Sequence, residues 1–247
     1  MYARRCRNVI GVVRRDPHPG HRQVAGGLAR AAVFGANDGL VSNVSLILGF
    51  AGGGADASIV RLAGIAGAVA GAVSMAAGEW VSISAQNELI ERELAVERRE
   101  LRHNTAEETA ELAAMYTAHG MDPARARDAA AEVMREPDTA LVVHAREELG
   151  VDPDELASPW QAAALSLVCF LAGALLPVVP WLLDATGTAP TIISVLIGVA
   201  GAVVVGAIVA RFAERPMAWS ILRQVAIVLG ACAVTYAIGE AIGITVT

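Results

Sequence analysis

The stretch from Ile59 to Glu111 restricts the possible folds of this chain more than any other feature. Its first part, Ile59 to Trp80, is apolar and rich in Gly and Ala. It continues, without Pro or a turn cluster, into an acidic region that contains Glu88, Glu91, Glu93, Glu97, Glu100, Glu107, Glu108 and Glu111. Since about 20 apolar residues cross a bilayer, the pattern predicts a helix that begins in a membrane and ends in water.

Long apolar blocks identify a polytopic membrane protein. Hydrophobic residues occupy 55% of the 247 positions and are concentrated in five blocks. We predict an all-α fold with transmembrane helices at about 28–50, 58–84, 158–183, 192–212 and 219–242. The predicted organisation is a basic tail (1–27), two spans (28–85), a helical metal-binding insert (86–157) and three further spans (158–247).

Turn and cap residues predict the finer helical structure. Within the insert, we expect helices to about His103, from Thr105 to His119, from Pro123 to Glu136 and finally to Leu149, with Asp122 as the N-cap of the third. In the third span, Pro177 and Pro180 should bend the outer end. Trp160 and Trp181 are expected to lie at the two membrane interfaces of that span.

The distribution of charge predicts how the chain is oriented. Residues 1–30 contain seven Arg and one Asp, whereas the turns at 51–58 and 184–190 contain no Arg. Because cytosolic loops are enriched in Lys and Arg, we expect the N-terminus and the insert in the cytosol and the C-terminus outside. The basic tail is expected to contact anionic lipid. Residues 86–156 contain eighteen carboxylates against eight Arg, which argues against nucleic acid as a partner.

Three side chains predict a metal site within the membrane. Asp38 lies about ten residues into the first span, and Met75 and Glu79 lie at i and i+4 near the insert end of the second. At 1.5 Å per residue, all three fall within about one to two turns of the same height. A carboxylate with a thioether suits Fe²⁺ or Mn²⁺ better than Mg²⁺ or Ca²⁺.

Each of these residues also has a simpler interpretation. Asp38 can cap a break in the helix near Gly39, Met75 can fill the core, and Glu79 can be an interfacial carboxylate beside Trp80. Only the coincidence of depth favours a shared site.

The insert offers a second group of possible ligands. Glu97 and Glu100, like Glu108 and Glu111, are spaced i, i+3, so a turn at 103–105 would bring the two pairs together. His144 and Glu148, at i and i+4 on the last insert helix, would complete a metal cluster. Solvated acidic faces are the alternative, and Thr105 with Glu108 also has the spacing of a capping box.

Two short motifs and the acidic insert resemble the vacuolar iron transporter family. The motifs are Phe34-Gly35-Ala36-Asn37-Asp38-Gly39-Leu40 and Ser74-Met75-Ala76-Ala77-Gly78-Glu79-Trp80. The resemblance implies a homodimer that exports Fe²⁺ from the cytosol in exchange for protons, through a pore between the subunits lined by the first two spans. It also implies that Asp38 and Met75 are membrane ligands, and that the insert ligands are Glu97, Glu100, Glu108, Glu111 and Glu148.

The chain departs from the family pattern at two site positions. Gly67 stands where some members have Glu, which leaves Glu79 as the expected replacement. His144 stands where members can offer Met. A ferritin-like domain, fused to some bacterial relatives, is expected to be absent, and the expected location is a bacterial inner membrane.

Three functions follow as hypotheses. The leading one is a metal/proton antiporter for Fe²⁺, with Mn²⁺, Co²⁺ and Zn²⁺ as other candidate ions and no prosthetic group. The second is a membrane-anchored dimeric metal sensor or buffer, which would not require the intramembrane Asp38. A membrane enzyme such as a ferroxidase is the third, and we expect the chain not to be an enzyme.

Overall fold

The computed structural model describes residues 27–154, 156–183 and 187–246, which are helical apart from short connections. Nearly all of the predicted basic tail lies outside these residues. The helices are α1 (Gly27–Gly52), α2 (Ala57–His103), α3 (Thr105–Ala118), α4 (Pro123–Val133), α5 (Pro137–Glu147), α6 (Pro159–Leu175), a 3₁₀ turn (Leu176–Val178), α7 (Val179–Leu182), α8 (Ala189–Ala213) and α9 (Met217–Val246).

Five stretches of the described helices are long and apolar enough to cross a membrane, as predicted. They are Arg30–Gly52, Ala57–His103, Pro159–Leu182, Ala189–Ala213 and Met217–Gly243. Near the outer end of the third, where Pro177 and Pro180 are expected to bend the span, the α-helix changes to the 3₁₀ turn and then to α7. The predicted insert helices are also present, and the Asp122 carboxylate caps α4 by accepting hydrogen bonds from the N–H groups of Ala124 and Arg125.

The second span and the first insert helix form one unbroken helix, α2. Its 47 residues correspond to about 70 Å, more than twice the hydrocarbon thickness of a bilayer. The membrane half buries a stripe of small residues that includes Gly64, Ala68 and Ala72. The other half buries Leu94 and Glu97, so the same helix packs against two different sets of partners.

Close helix packing in the membrane half depends on Gly at the crossing points. A Cβ at Gly39 would lie 2.2 Å from the carbonyl oxygen of Phe170, and one at Gly239 would lie 1.9 Å from the carbonyl oxygen of Gly49. No side chain fits at either distance, so α1 contacts α6 and α9 backbone to backbone. The packing also explains Gly39 without a helix break: α1 is continuous through Asp38, and that alternative was wrong.

Buried polar side chains hold the same bundle together. Asn43 donates hydrogen bonds to the carbonyl oxygens of Gly64 (3.0 Å) and Ala174 (2.5 Å), linking α1, α2 and α6. Trp181 donates to the Ser194 hydroxyl at 3.0 Å and is only 6% exposed. Trp181 lies at the end of the third span, as predicted, but it packs inside the bundle because its indole N–H has a buried partner.

Glycine packing gives a test with a control on the same helix. Gly239→Ala should force α1 and α9 apart, and overpacking of this kind costs about 1–3 kcal/mol. A Cβ at Gly230 of α9 would meet nothing within 4 Å, so Gly230→Ala should be neutral or slightly stabilising. Thermal unfolding in detergent measures both variants. Equal melting temperatures would contradict backbone contact between α1 and α9.

Candidate metal centre

Three insert helices converge on one group of buried ligands. Glu97 of α2, Glu108 of α3 and His144 of α5 each offer one ligand atom, and these atoms lie within 4.8 Å of one another. Each residue shares the apolar face of its helix: Leu94 packs with Leu141 and Ala145, and Leu112 is fully buried beside Ala113. Hydrophobic packing thus places polar side chains inside the insert.

The distances and hydrogen bonding of this group favour a bound cation. Nδ1 of His144 lies 3.1 Å from Oε1 of Glu97 and 3.7 Å from Oε2 of Glu108. Nδ1 of His144 and Oε1 of Glu97 are close but not aligned for a hydrogen bond, so both His144 nitrogens and Oε1 of Glu97 are buried without a hydrogen-bond partner. Small movements would bring all three ligands to about 2 Å from one ion, the bond length typical of Zn²⁺ sites. Two oxygens and an imidazole nitrogen suit borderline divalent metals better than Mg²⁺ or Ca²⁺.

Burial and mutual repulsion shift the pKa values of these groups in directions that favour metal binding near neutral pH. Burial, and then the charges of Glu148 and Glu108, raise the pKa of Glu97 to about 7. Burial, followed by the charge of Glu111, also raises the pKa of Glu108. Burial lowers the pKa of His144, although the charges of Glu148 and Glu111 oppose it. Near neutral pH, a cation can therefore displace a proton from Glu97 and meet a neutral imidazole.

The remaining predicted ligands surround this centre. Glu111 and Glu148 are exposed, and the charge of Glu148 helps to raise the pKa of Glu97. Glu100 is half-buried and accepts a 2.5 Å hydrogen bond from the Asn104 side chain at the turn between α2 and α3. The structure thus gathers all six predicted insert residues, with three in the centre and three at its edge.

Glu108 is not used as a helix cap. Asn104 is the N-cap of α3, no side chain caps it, and Thr105 instead donates to the carbonyl oxygen of Leu101 at 2.8 Å. The capping-box alternative was wrong, because the Glu108 side chain is buried beside His144.

The insert also contains a Glu-x-x-His spacing, at Glu100 and His103. Di-iron enzymes of the bundle type need two such pairs whose ligands point inward. His103 is exposed, and its Nδ1 lies 2.8 Å from the carbonyl oxygen of Arg99. This pair therefore does not build a di-iron site with the buried group.

A separate cavity lies in the membrane half, next to the insert. Its volume is about 410 Å³, and both Met75 and Glu79 line it. The other lining residues are Arg30, Phe34, Gly78, Ser82 and Ser166. The predicted pairing of a thioether and a carboxylate on one helical face is therefore present, beside an open space.

Asp38 does not line this cavity but lies beyond the end of the cavity that is furthest from the insert. A Cβ at Gly67 would lie 3.0 Å from Oδ1 of Asn43, which fixes the relative height of α1 and α2. Counting from that contact at 1.5 Å per residue, Asp38 lies about one turn further from the insert than Met75. Asp38 is half-buried in an unbroken helix.

Gly67 has a packing role in this chain. A Cβ there would lie 2.5 Å from Cδ2 of Leu46, so a larger side chain at this position would require Leu46 to move. Glu79, one turn beyond Met75, is the carboxylate that reaches the cavity.

Sequence reasoning missed Arg30. Its Nη2 lies 3.9 Å from Oε1 of Glu79. The signal was available, because Arg30, Phe34 and Asp38 follow one another at i, i+4 and i+8 on one face of α1. The partner of an arginine near a membrane interface nevertheless depends on helix packing.

Comparison with known proteins identifies the family. The VIT family profile matches residues 29–240. The chain belongs to the VIT family. This confirms the resemblance drawn from the two motifs and the acidic insert, and with the five apolar helices it makes the chain an integral membrane protein.

Named relatives cover most of this VIT family chain. A vacuolar iron transporter of Acanthamoeba castellanii is 33% identical over 190 residues, which are 74% of this chain and 69% of that protein. A vacuolar iron transporter of Centaurea cyanus is 27% identical over 226 residues, which are 92% of this chain and 91% of that protein. Vacuolar iron transporter 1 of Arabidopsis thaliana is 29% identical over 168 residues, covering 68% and 67%.

The raised pKa of Glu97 predicts how the metal-free protein responds to pH. Between pH 4.5 and about 7, the folded state holds a proton that the unfolded state has released, so stability falls as the pH rises through this window. Above pH 7 the full penalty applies, up to about 3 kcal/mol. Glu97→Gln should therefore raise the melting temperature at pH 8 and change it little at pH 4.5, in the presence of a chelator.

Glu91→Gln is the matched control, because Glu91 is an exposed carboxylate on the same helix. It should leave the melting temperature nearly unchanged at both pH values. A Glu97→Gln effect that is the same at pH 4.5 and pH 8 would contradict a buried, titrating Glu97.

Proposed function

We propose that the chain transports Fe²⁺ out of the cytosol, with Mn²⁺ as a second candidate cargo, in exchange for protons. The buried group of Glu97, Glu108 and His144 carries the proposal, because its unpaired ligand atoms need a cation. Membership of a family whose relatives are named vacuolar iron transporters supports iron as that cation. Transport, rather than an enzymatic reaction, is the function that this family assignment favours.

In this proposal, the insert captures the ion and α2 leads it to the membrane. The insert lies in the cytosol, where Glu111 and Glu148 at the edge attract the cation and the central group binds it. The ion then enters the cavity beside Glu79 and Met75 and moves on to Asp38. Glu97 releases a proton when it binds the ion. Asp38 likewise releases a proton when it receives the ion, and regains one when the ion leaves on the far side.

The membrane half supports a homodimer as the transporting unit. The Met75 and Glu79 cavity is open to the surface of a single chain, and few residues of the second span are buried. A second copy placed against this face of α1 and α2 would close the cavity into a pathway between the subunits. Cross-linking between cysteines placed on this face tests the arrangement.

Flux measurements on purified protein in liposomes test the function. Wild-type protein should carry Fe²⁺ into the liposomes under anaerobic conditions. A pH gradient that drives protons out of the liposomes should accelerate this flux. Asp38→Asn, which keeps the size of the side chain but removes its charge, should lose proton-coupled flux while the insert still binds metal. Wild-type flux in this variant would mean that Asp38 is structural.

Metal binding to the insert is a separate prediction. Replacing Glu97, Glu100, Glu108 and Glu111 together by Ala should abolish most metal binding in calorimetry without unfolding the protein. His144→Ala should weaken binding below about pH 6.5 as well as above it, because burial lowers the pKa of His144 and keeps its imidazole neutral there. Unchanged stoichiometry in the quadruple variant would refute capture by this group. If wild-type protein binds metal but shows no flux, the chain is instead a membrane-anchored buffer or sensor.

A further inference from the structure

The cavity beside Met75 contains a positive charge that cation transport alone does not explain. Arg30 and Glu79 line the same space, with Nη2 and Oε1 3.9 Å apart. The Glu79 side chain is 18% exposed, whereas that of Arg30 is 75% exposed. The guanidinium thus reaches the carboxylate from the open side of the cavity.

The ion pair lies at the insert end of the cavity. Glu79 is one helical turn closer to the insert than Met75, and Arg30 is two turns closer than Asp38. An ion that moves along this face from the insert meets the Arg30–Glu79 pair before it can reach Met75. The guanidinium of Arg30 repels the transported cation at that position unless the Arg30 side chain moves aside.

The pair is suited to displacement. Exposed ion pairs of this length contribute little to stability, and they hold two side chains in one geometry at an entropic cost. Arg30 can leave Glu79 by rotation of its own long side chain, whereas the Glu79 side chain is mostly buried in the lining of the cavity. A divalent cation brings twice the charge of a guanidinium to the same carboxylate, so it competes effectively for Glu79.

We propose that Arg30 is a tethered counter-ion that competes with the transported cation for Glu79. When no metal is present, Arg30 neutralises the carboxylate at the mouth of the cavity. When the metal arrives, Arg30 swings out, and it later helps to release the ion from Glu79 towards Met75. Arg30 therefore sets the apparent affinity for the cargo. This role rests on the proposed transport function.

The test is a double-mutant cycle measured as Mn²⁺ and Fe²⁺ flux into liposomes containing the full chain. Arg30→Gln should lower the apparent KM by about twofold to fivefold, the range expected for loss of an exposed ion pair. Glu79→Gln should raise KM. In the Glu79→Gln background, Arg30→Gln should change KM little further, because the carboxylate for which Arg30 and the metal compete is absent.

Arg223→Gln is the control for net charge. Arg223 is an exposed residue next to Gln224, which bonds to Asn37 near the same end of the bundle, and it makes no ion pair with any described residue. The KM of the Arg223→Gln variant should equal that of the wild type. If Arg30→Gln does not fold, Arg30→Met, which keeps the apolar part of the side chain, replaces it in the cycle.

The outcomes separate the two proposals. No flux in wild-type protein refutes the transport function itself. Flux in the wild type with an unchanged KM in Arg30→Gln overturns the role of Arg30. An equal change of KM in Arg30→Gln and Arg223→Gln also overturns this role. So does an equal effect of Arg30→Gln on KM with Glu79 and with Gln at position 79, because the arginine would then act only through its long-range charge.

Discussion

Both candidate metal sites depend on α2 remaining one unbroken helix. Its membrane half carries Met75 and Glu79, and its insert half carries Glu97. A single helix is stiff over this length, so the distance between the sites is set by covalent geometry and backbone hydrogen bonds. Helices α3 and α5 pack on α2, as shown by Leu141 and Ala145 of α5 packing on Leu94, and α4 packs on α3.

The two halves of α2 are stabilised in opposite ways. In the membrane half, small residues such as Gly64 let helices approach closely, and van der Waals contact replaces the hydrophobic effect. In the insert half, apolar packing forces Glu97 and His144 out of water without giving Oε1 of Glu97 or either His144 nitrogen a hydrogen-bond partner. Each unpaired buried group costs about 1–3 kcal/mol. A bound cation removes that cost, so folding of the insert and its affinity for metal are linked.

The elements that could be predicted from the sequence are those with local causes. Apolar length located the five spans, and Asp122 before Pro123 located the start of α4. Spacing also placed Glu97 and Glu108 on facing helices, because a tight turn leaves few alternatives. The burial of Trp181 and the partner of Arg30 could not be predicted, because each depends on which helix lies opposite. The packing role of Gly39 could not be predicted for the same reason: a glycine that permits contact and a glycine that breaks a helix have the same sequence pattern.

The stiffness of α2 also makes it a lever. Met75 and Glu97 are about 33 Å apart along one axis. A change of about 10° in the tilt of the membrane half therefore displaces Glu97 by about 6 Å, roughly three times a metal–ligand bond length. Because α5 packs on Leu94 of α2, His144 follows the same arc as Glu97. Any reorientation of α2 within the bilayer is thus magnified at the distant end into a displacement of the whole ligand group.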